Sequence, residues 1–198
     1  MAKKFRELTF TPSVRAAQAH HFGFDTPESG TSAPDPLTPD EQAFIASRDS
    51  FYLATVSETG WPYVQHRGGP AGFLRVLNSS QLAFADYQGN RQLLTTGNLA
   101  VTNRVCLFLM DYPQRTRLKL LGHARVLRAR EHPDLVEQYA DKPERSIVER
   151  IVLIDVVSFD WNCPKYITPR YTREEVEQAI TPLRERIAEL ERQLAEKS

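Results

Sequence analysis

A chain of 198 residues, 41% hydrophobic, is long enough for one substantial domain with a real core. Its 25 Lys and Arg balance its 25 Asp and Glu; zero net charge argues against bulk nucleic-acid binding and a polybasic membrane surface, so any anion site must be local. No apolar run approaches the roughly 20 residues of a membrane span, the start MAKKFRELTF lacks the apolar stretch of a signal peptide, and Cys106 and Cys163 make no disulfide framework, which together read as a soluble cytoplasmic protein.

Residues 1–37 form a mixed leader that runs into the Pro/Ser/Thr/Asp-rich connection TSAPDPLTPD. In LTPDEQAFIASRD, Thr38 is an N-cap, Pro39 suits the first helical position and Glu41 completes a capping box, so a short helix to about Arg48 is expected. From Phe51 the period changes to two. FYLATVS and WPYVQHR are strands joined by ETG; FLRVLN and QLAFAD form a second hairpin through NSS. In the second of these, Asp86, Gly89 and Asn90 break the strand and Arg91 leads into a helix. RVCLFLMD is apolar on both faces, a central strand in which Cys106 is a buried, inert thiol. TRLKLLGHARVLRA is a long strand with a bend or bulge at Gly122, HPDLVEQYA a short helix, and SIVERIVLIDVVSFDW a last long strand.

About six or seven strands at short spacing point to a closed antiparallel barrel rather than a parallel layered sheet. The domain spans residues 38–170, and residues 171–198 form a separate charged helix. In that helix Thr172 and Glu175 make a second capping box. Val176, Ile180, Leu183, Ile187, Leu190 and Leu194 follow a heptad seam, which Pro182 interrupts where Thr181 caps a fresh helix. The seam either packs on its own domain or associates with another copy.

Four stretches carry possible chemistry, each with a plainer reading beside it. In WPYVQHRGG, alternation places Gln65 and Arg67 on one face and Val64 and His66 on the other, and GGP admits close approach of a ligand; the plainer reading is an exposed strand end. In DYQGNRQ a strand hands over to a helix, whose free amides and dipole attract anions, and Arg91 adds a planar cation suited to phosphate; ordinary turn chemistry reads the same way. In QRTRLKLLG, Arg115, Arg117 and Lys119 share one face, a solvated basic face unless it meets that of Gln65 and Arg67. DWNCPKYITPR groups Trp161, Asn162, Lys165 and Tyr166 in a loop with no partner Cys or His spaced for zinc. No HExxH, GxSxG, Walker A or GxGxxG pattern occurs, which turns the reading away from metalloproteases, hydrolases, ATPases and Rossmann dehydrogenases.

Taken together, HRGGPAGFLRVL, LAFADYQGNRQ, GNLAVTNRVCLFLMDY, RLKLLGHARV and WNCPKYITPRY resemble the pyridoxamine 5'-phosphate oxidase-related flavin-binding split barrels. The resemblance implies a mainly β fold with flanking helices, a six-stranded antiparallel split barrel, and a homodimer with FMN between protomers. It implies that Asn90, Arg91 and Gln92 hold the FMN phosphate, that Gln65, His66 and Arg67 form the phosphate-side basic strand, and that Arg117 faces the flavin. Trp161, Asn162, Lys165 and Tyr166 of the other protomer would lie near the ring. Two departures stand out: no lysine follows on the first basic strand, and CPKYITPRY replaces the C-terminal arginine–histidine motif. Both departures weigh against the pyridoxal-phosphate role.

Two functional readings follow. One is an FMN-dependent oxidoreductase acting on a small molecule, in which the cofactor carries the hydride chemistry and Arg117 or Lys165 stabilises the reduced anionic ring. The other is a non-catalytic module that binds flavin or haem as a sensor or store. An oligonucleotide-binding barrel needs a basic groove with stacking aromatics, which this neutral chain does not offer.

Overall fold

Alternating apolar and polar residues dictate the strands from Ser50 onward: β1 Ser50–Val56, β2 Pro62–Gly68, β3 Arg75–Asn78, β4 Gln81–Tyr87, β5 Arg104–Asp111, β6 Thr116–Arg128 and β7 Val148–Trp161. They form one sheet in the order β2-β1-β5-β6-β7-β4-β3. The registered pairs of β1 with β2 and β5, and of β7 with β4 and β6, are antiparallel. The computed structural model describes residues 2–24, 27, 30–140, 147–161 and 164–196. It divides into two compact units, Met1–Met110 with Arg117–Cys163, and Asp111–Thr116 with Pro164–Ser198.

The fold is the antiparallel split barrel that the residues point to, with seven strands once the four-residue edge strand β3 is counted, where the resemblance implies six. Its core is built by inward residues of β1, β4, β5, β6 and β7, including Phe51, Leu53, Leu82, Phe84, Leu107, Leu118 and Leu120. Phe51 stacks on Phe73 at 5.5 Å and meets Phe84 edge-on at 5.4 Å. The close approach that GGP was expected to offer a ligand is taken up inside the protein: a Cβ on Gly69 would stand 2.8 Å from the Phe73 ring. Gly122 sits at a register shift between β6 and β7, and a Cβ there would meet the Asp155 carbonyl at 2.6 Å. The bulge expected at this glycine is present, and only a residue without a side chain fits it.

Two helices in the leader were not legible as separate elements. α1, Lys3–Thr9, buries Phe5; α2, Pro12–Phe22, buries nothing and ends at Gly23 with φ 69°. Asp35 ties the leader down. Its carboxylate accepts from the Lys4 amide at 3.2 Å and the Ser158 hydroxyl at 2.5 Å, and its amide donates to the Val157 carbonyl at 2.9 Å.

The third helix, α3, Pro39–Ala46, starts at the capping box expected of Thr38 and Glu41. Glu41 does more than cap. It is buried, and it accepts the Thr38 amide at 2.9 Å, the Thr38 hydroxyl at 2.5 Å and the Trp161 indole N–H at 2.5 Å. Burial pushes its acidity towards a higher pKa, but the bonds from Thr38 and Trp161 outweigh it and hold the carboxyl below its ordinary value. A depressed pKa contributes stability above the unfolded-state value of about 4.3 and loses it as pH falls through the folded value. Trp161→Phe, which keeps the packing on Phe44 and removes the donor, is expected to lower stability by about 1.5–3 kcal/mol at neutral pH. The deficit should shrink as pH falls below the unfolded-state value of about 4.3 and through the depressed folded value of Glu41. Urea unfolding at pH 7 and at a falling series of pH values below about 4.3 checks this, and a deficit that stays constant along the whole series would separate the loss from the carboxylate.

The remaining helices are α4, Leu94–Val101, α5, Pro133–Tyr139, and α6, Arg173–Ala195. α6 opens at the expected Thr172–Glu175 capping box but does not restart at Thr181. The Thr181 hydroxyl instead donates to the Glu177 carbonyl at 2.7 Å, and the helix runs on through Pro182. One proline removes a single i→i−4 bond, and the flanking turns of this long helix carry the chain across the gap.

Candidate functional site

The site lies between β2, at one edge of the sheet, and β4, next to the other. β2 is an edge strand, and its inward residues Tyr63, Gln65 and Arg67 pair with Thr55, Leu53 and Phe51 of β1. Arg67 reaches across to β4 and donates to the buried Asp86 at 2.5 Å; Arg150 of β7 donates to the other Asp86 oxygen at 2.7 Å. Burial works against the Arg150 charge, but its bonds to Asp86 and Glu149 prevail and raise its pKa. Asp86 thus does not end the strand as expected. It is the penultimate residue of β4, and one carboxylate holds two guanidinium groups from strands on either side of the seam.

α4 forms the opposite wall. The Thr95 hydroxyl donates to Gln65 at 3.1 Å, and the Asn98 amide donates to Thr55 at 2.9 Å, so the first two turns are fixed against β1 and β2. Its N-cap residue, Leu93, has φ 55° and gives the helix no side-chain cap. Arg91, two residues earlier, has φ 61°, and Asn90 accepts the Gln92 amide at 3.2 Å. Two non-glycine residues in left-handed conformation within three positions cost about 1–2 kcal/mol each, and such strain gathers where a ligand or a packed frame demands it. The tight turn delivers an uncapped helix N-terminus, with its free amides and positive dipole end, to the same pocket as the three arginines.

That pocket, of about 180 Å³, is lined by residues that include Gln65, Arg67, Asn90, Arg91, Gln92 and Arg150. Five of the residues expected to bind cofactor therefore converge. His66 does not join them: it points to the outer face of the sheet, 5.5 Å from the Tyr52 ring, as alternation along β2 requires. Arg117 is also on the outer face, with its guanidinium 5.2 Å from the Phe108 ring and its Nε buried without a hydrogen-bond partner. The basic face of β6 and the Gln65–Arg67 face are thus on opposite sides of the sheet. The Trp161 indole N–H is taken by Glu41, and its ring packs edge-on against Phe44 at 4.9 Å. Lys165 and Tyr166 belong to the second unit, where the ammonium lies 5.3 Å from the Tyr166 ring centroid. Asn162 lies outside the described residues.

Asp86 and Arg150 were not anticipated as part of the site. They are 64 residues apart and meet only because β4 and β7 pair. The one local signal was an aspartate in phase with the buried residues of QLAFAD. Among the described residues no group of three His, Cys, Asp or Glu side chains gathers as a metal site.

The outer face of the same sheet carries an apolar patch on β1, β2 and β5. Tyr52, Val56 and Val64 are exposed on it, beside half-buried Cys106 and Phe108. Burial pushes the Cys106 thiol up from its ordinary pKa, against a weaker pull from Lys119, so it stays protonated and unreactive at neutral pH.

A sequence profile of pyridoxamine 5'-phosphate oxidase matches residues 37–156, from the start of the capping box through most of β7 and including every residue that lines the pocket. The chain belongs to the pyridoxamine 5'-phosphate oxidase family. No curated protein matches it. Among solved structures it is similar to a candidate pyridoxamine 5'-phosphate oxidase from Lactobacillus delbrueckii, with 22% identity, 63% of this chain and 93% of that one covered, and a TM-score of 0.49. It is similar at 10% identity to HupZ of Group A Streptococcus, over 68% of this chain and 99% of that one, with a TM-score of 0.49. An FMN-binding protein from Syntrophomonas wolfei is 9% identical over 62% of this chain and 83% of its own, with a TM-score of 0.44. The family assignment rests on the profile match. The C-terminal stretch CPKYITPRY lies beyond that match.

Proposed function

We propose that this chain binds FMN, with the phosphate in the pocket formed by β2, the turn at residues 88–93 and the start of α4, and that it acts as a flavin-dependent oxidoreductase on a small molecule. The observation that carries this reading is the pocket itself: three arginines, a single carboxylate among the lining residues, and an uncapped helix N-terminus. That donor set suits a dianion with several oxygens. Asp86 neutralises part of the charge and fixes Arg67 and Arg150 in place, which leaves Arg91 and the α4 amides to meet the phosphate directly.

The size of the pocket supports a shared site. Pockets that enclose a drug-sized ligand run to about 300–1,000 Å³, and one of about 180 Å³ takes a phosphate and the start of its ester chain. The tricyclic ring then lies outside it. The apolar outer face with Tyr52, Val56, Val64 and Phe108 is of the kind that a second protomer covers, so we assign the protein to a homodimer with FMN at the protomer interface. Arg117 stands on that face with an unused, buried Nε. A cation there would stabilise negative charge on the reduced ring. When bound, the flavin supplies the hydride transfer; the chain's own residues bind the phosphate, orient the cofactor and set the charge around it. Two cysteines without a disulfide framework suit a reducing cytoplasm.

The test is the visible spectrum of the purified protein, followed by a reduced nicotinamide under anaerobic conditions. A flavin spectrum that bleaches supports the oxidoreductase. A flavin spectrum that persists favours the binding module, and a protein that takes up no FMN contradicts the cofactor assignment.

A further inference from the structure

The geometry of α6 points to a second copy of this chain as its partner: we propose that two α6 helices pair as a parallel, two-stranded coiled coil. The helix spans 23 residues and buries none of them. Its apolar residues nonetheless fall on one line. Val176, Leu183, Ile187, Leu190 and Leu194 are exposed, and Ile180 completes the spacing of four, three, four, three, four. Pro182 and the Thr181–Glu177 back-bond fall on the outer side of the helix and leave that line unbroken.

The residue types specify the partner. The spacing places Ile180 and Ile187 at the two central a positions and Leu183 and Leu190 at the two central d positions of the heptad, with Val176 at the first d and Leu194 at the last a. β-Branched residues at a with leucine at d favour two parallel strands over higher-order bundles. The flanking charges specify the orientation. Arg186 falls at g and Glu191 at the following e, the two positions that face each other between parallel helices. Neither makes an ion pair with another described residue, whereas Arg184 is engaged by Glu177 at 2.9 Å and Arg192 by Glu189 at 2.8 Å within the helix. An antiparallel pairing that overlaps the whole seam would set Arg184 against Arg184, Arg186 against Arg186, and Glu177 against Glu191. Parallel pairing gives two Arg186–Glu191 contacts and avoids all three like-charge encounters.

This inference stands apart from the flavin reading, since it uses neither the pocket nor the outer face of the sheet. The test is disulfide trapping in the full chain. With Leu190→Cys, mild oxidation is expected to yield a covalent dimer whose linking peptide, by mass spectrometry, joins the two substituted positions. Ala188→Cys, on the outer side of the helix, is expected to give no link above the wild-type background set by Cys106 and Cys163. Arg186→Glu in the Leu190→Cys chain should lower the trapped fraction severalfold, and Glu191→Arg added to it should restore the yield. A chain that sediments as a dimer but is not trapped at position 190 would overturn the paired helices while leaving a barrel dimer intact. A chain that sediments as a monomer and gives no link would overturn both.

Discussion

Asp86→Ala is expected to lower folding stability by about 3–5 kcal/mol, the usual cost of removing one partner from a buried, charged pair. Asp86 is buried, and the side chains of Arg67 and Arg150 are 18% and 15% exposed. Without the carboxylate, two guanidinium groups from opposite sides of the seam face each other with one fewer counter-charge. Arg150 keeps Glu149 at 2.8 Å; Arg67 has no second carboxylate in the pocket lining. The damage should therefore concentrate on β2, the edge strand that Arg67 ties to β4. Asp86→Asn keeps the shape and one acceptor and is expected to lose less. Denaturant unfolding of the three proteins measures the effect, and hydrogen exchange of the β2 amides locates it. A midpoint for Asp86→Ala equal to that of the wild type would mean that the barrel seam does not depend on this pair.

Arg91→Ala is expected to weaken FMN binding by about 1.5–3 kcal/mol, the worth of a charge-assisted hydrogen bond, or about tenfold to 150-fold in Kd. The fold should be untouched. Arg91 is exposed, and alanine at the same φ of 61° meets the same backbone cost. Glycine at this position removes that cost as well as the charge. Arg91→Gly should therefore be the more stable of the two variants and an equally poor FMN binder. If either variant binds FMN as the wild type does, the phosphate is held elsewhere.

The strands were legible because each alternates or runs apolar over a bounded length, and the FYLATVS, RVCLFLMD and IVLIDVV runs have no other stable use. The turn at Arg91 was legible for a similar reason: Gly89 and Asn90 break a strand and a cation follows. What escaped the sequence depends on distant partners. Asp86 looks like a strand terminator until Arg67 and Arg150 arrive from β2 and β7. Trp161 looks like a free aromatic until Glu41, 120 residues away, takes its N–H. The leader helices escaped because Phe5 is the only residue that either of them buries, which leaves no periodic stripe to read. His66 shows the opposite case. Alternation along β2 already set it apart from Gln65 and Arg67, and its place on the outer face beside Tyr52 follows from that pattern.

The most direct test of the phosphate site is a pair of titrations on the wild-type protein, FMN against riboflavin, followed by quenching of flavin fluorescence. The two ligands share the ring and the ribityl chain and differ in the phosphate. The pocket described above predicts that FMN binds at least tenfold more tightly and that raising the salt concentration narrows the gap, as screening weakens an exposed cation such as Arg91. Equal affinities for the two ligands, or no binding of either, would contradict it.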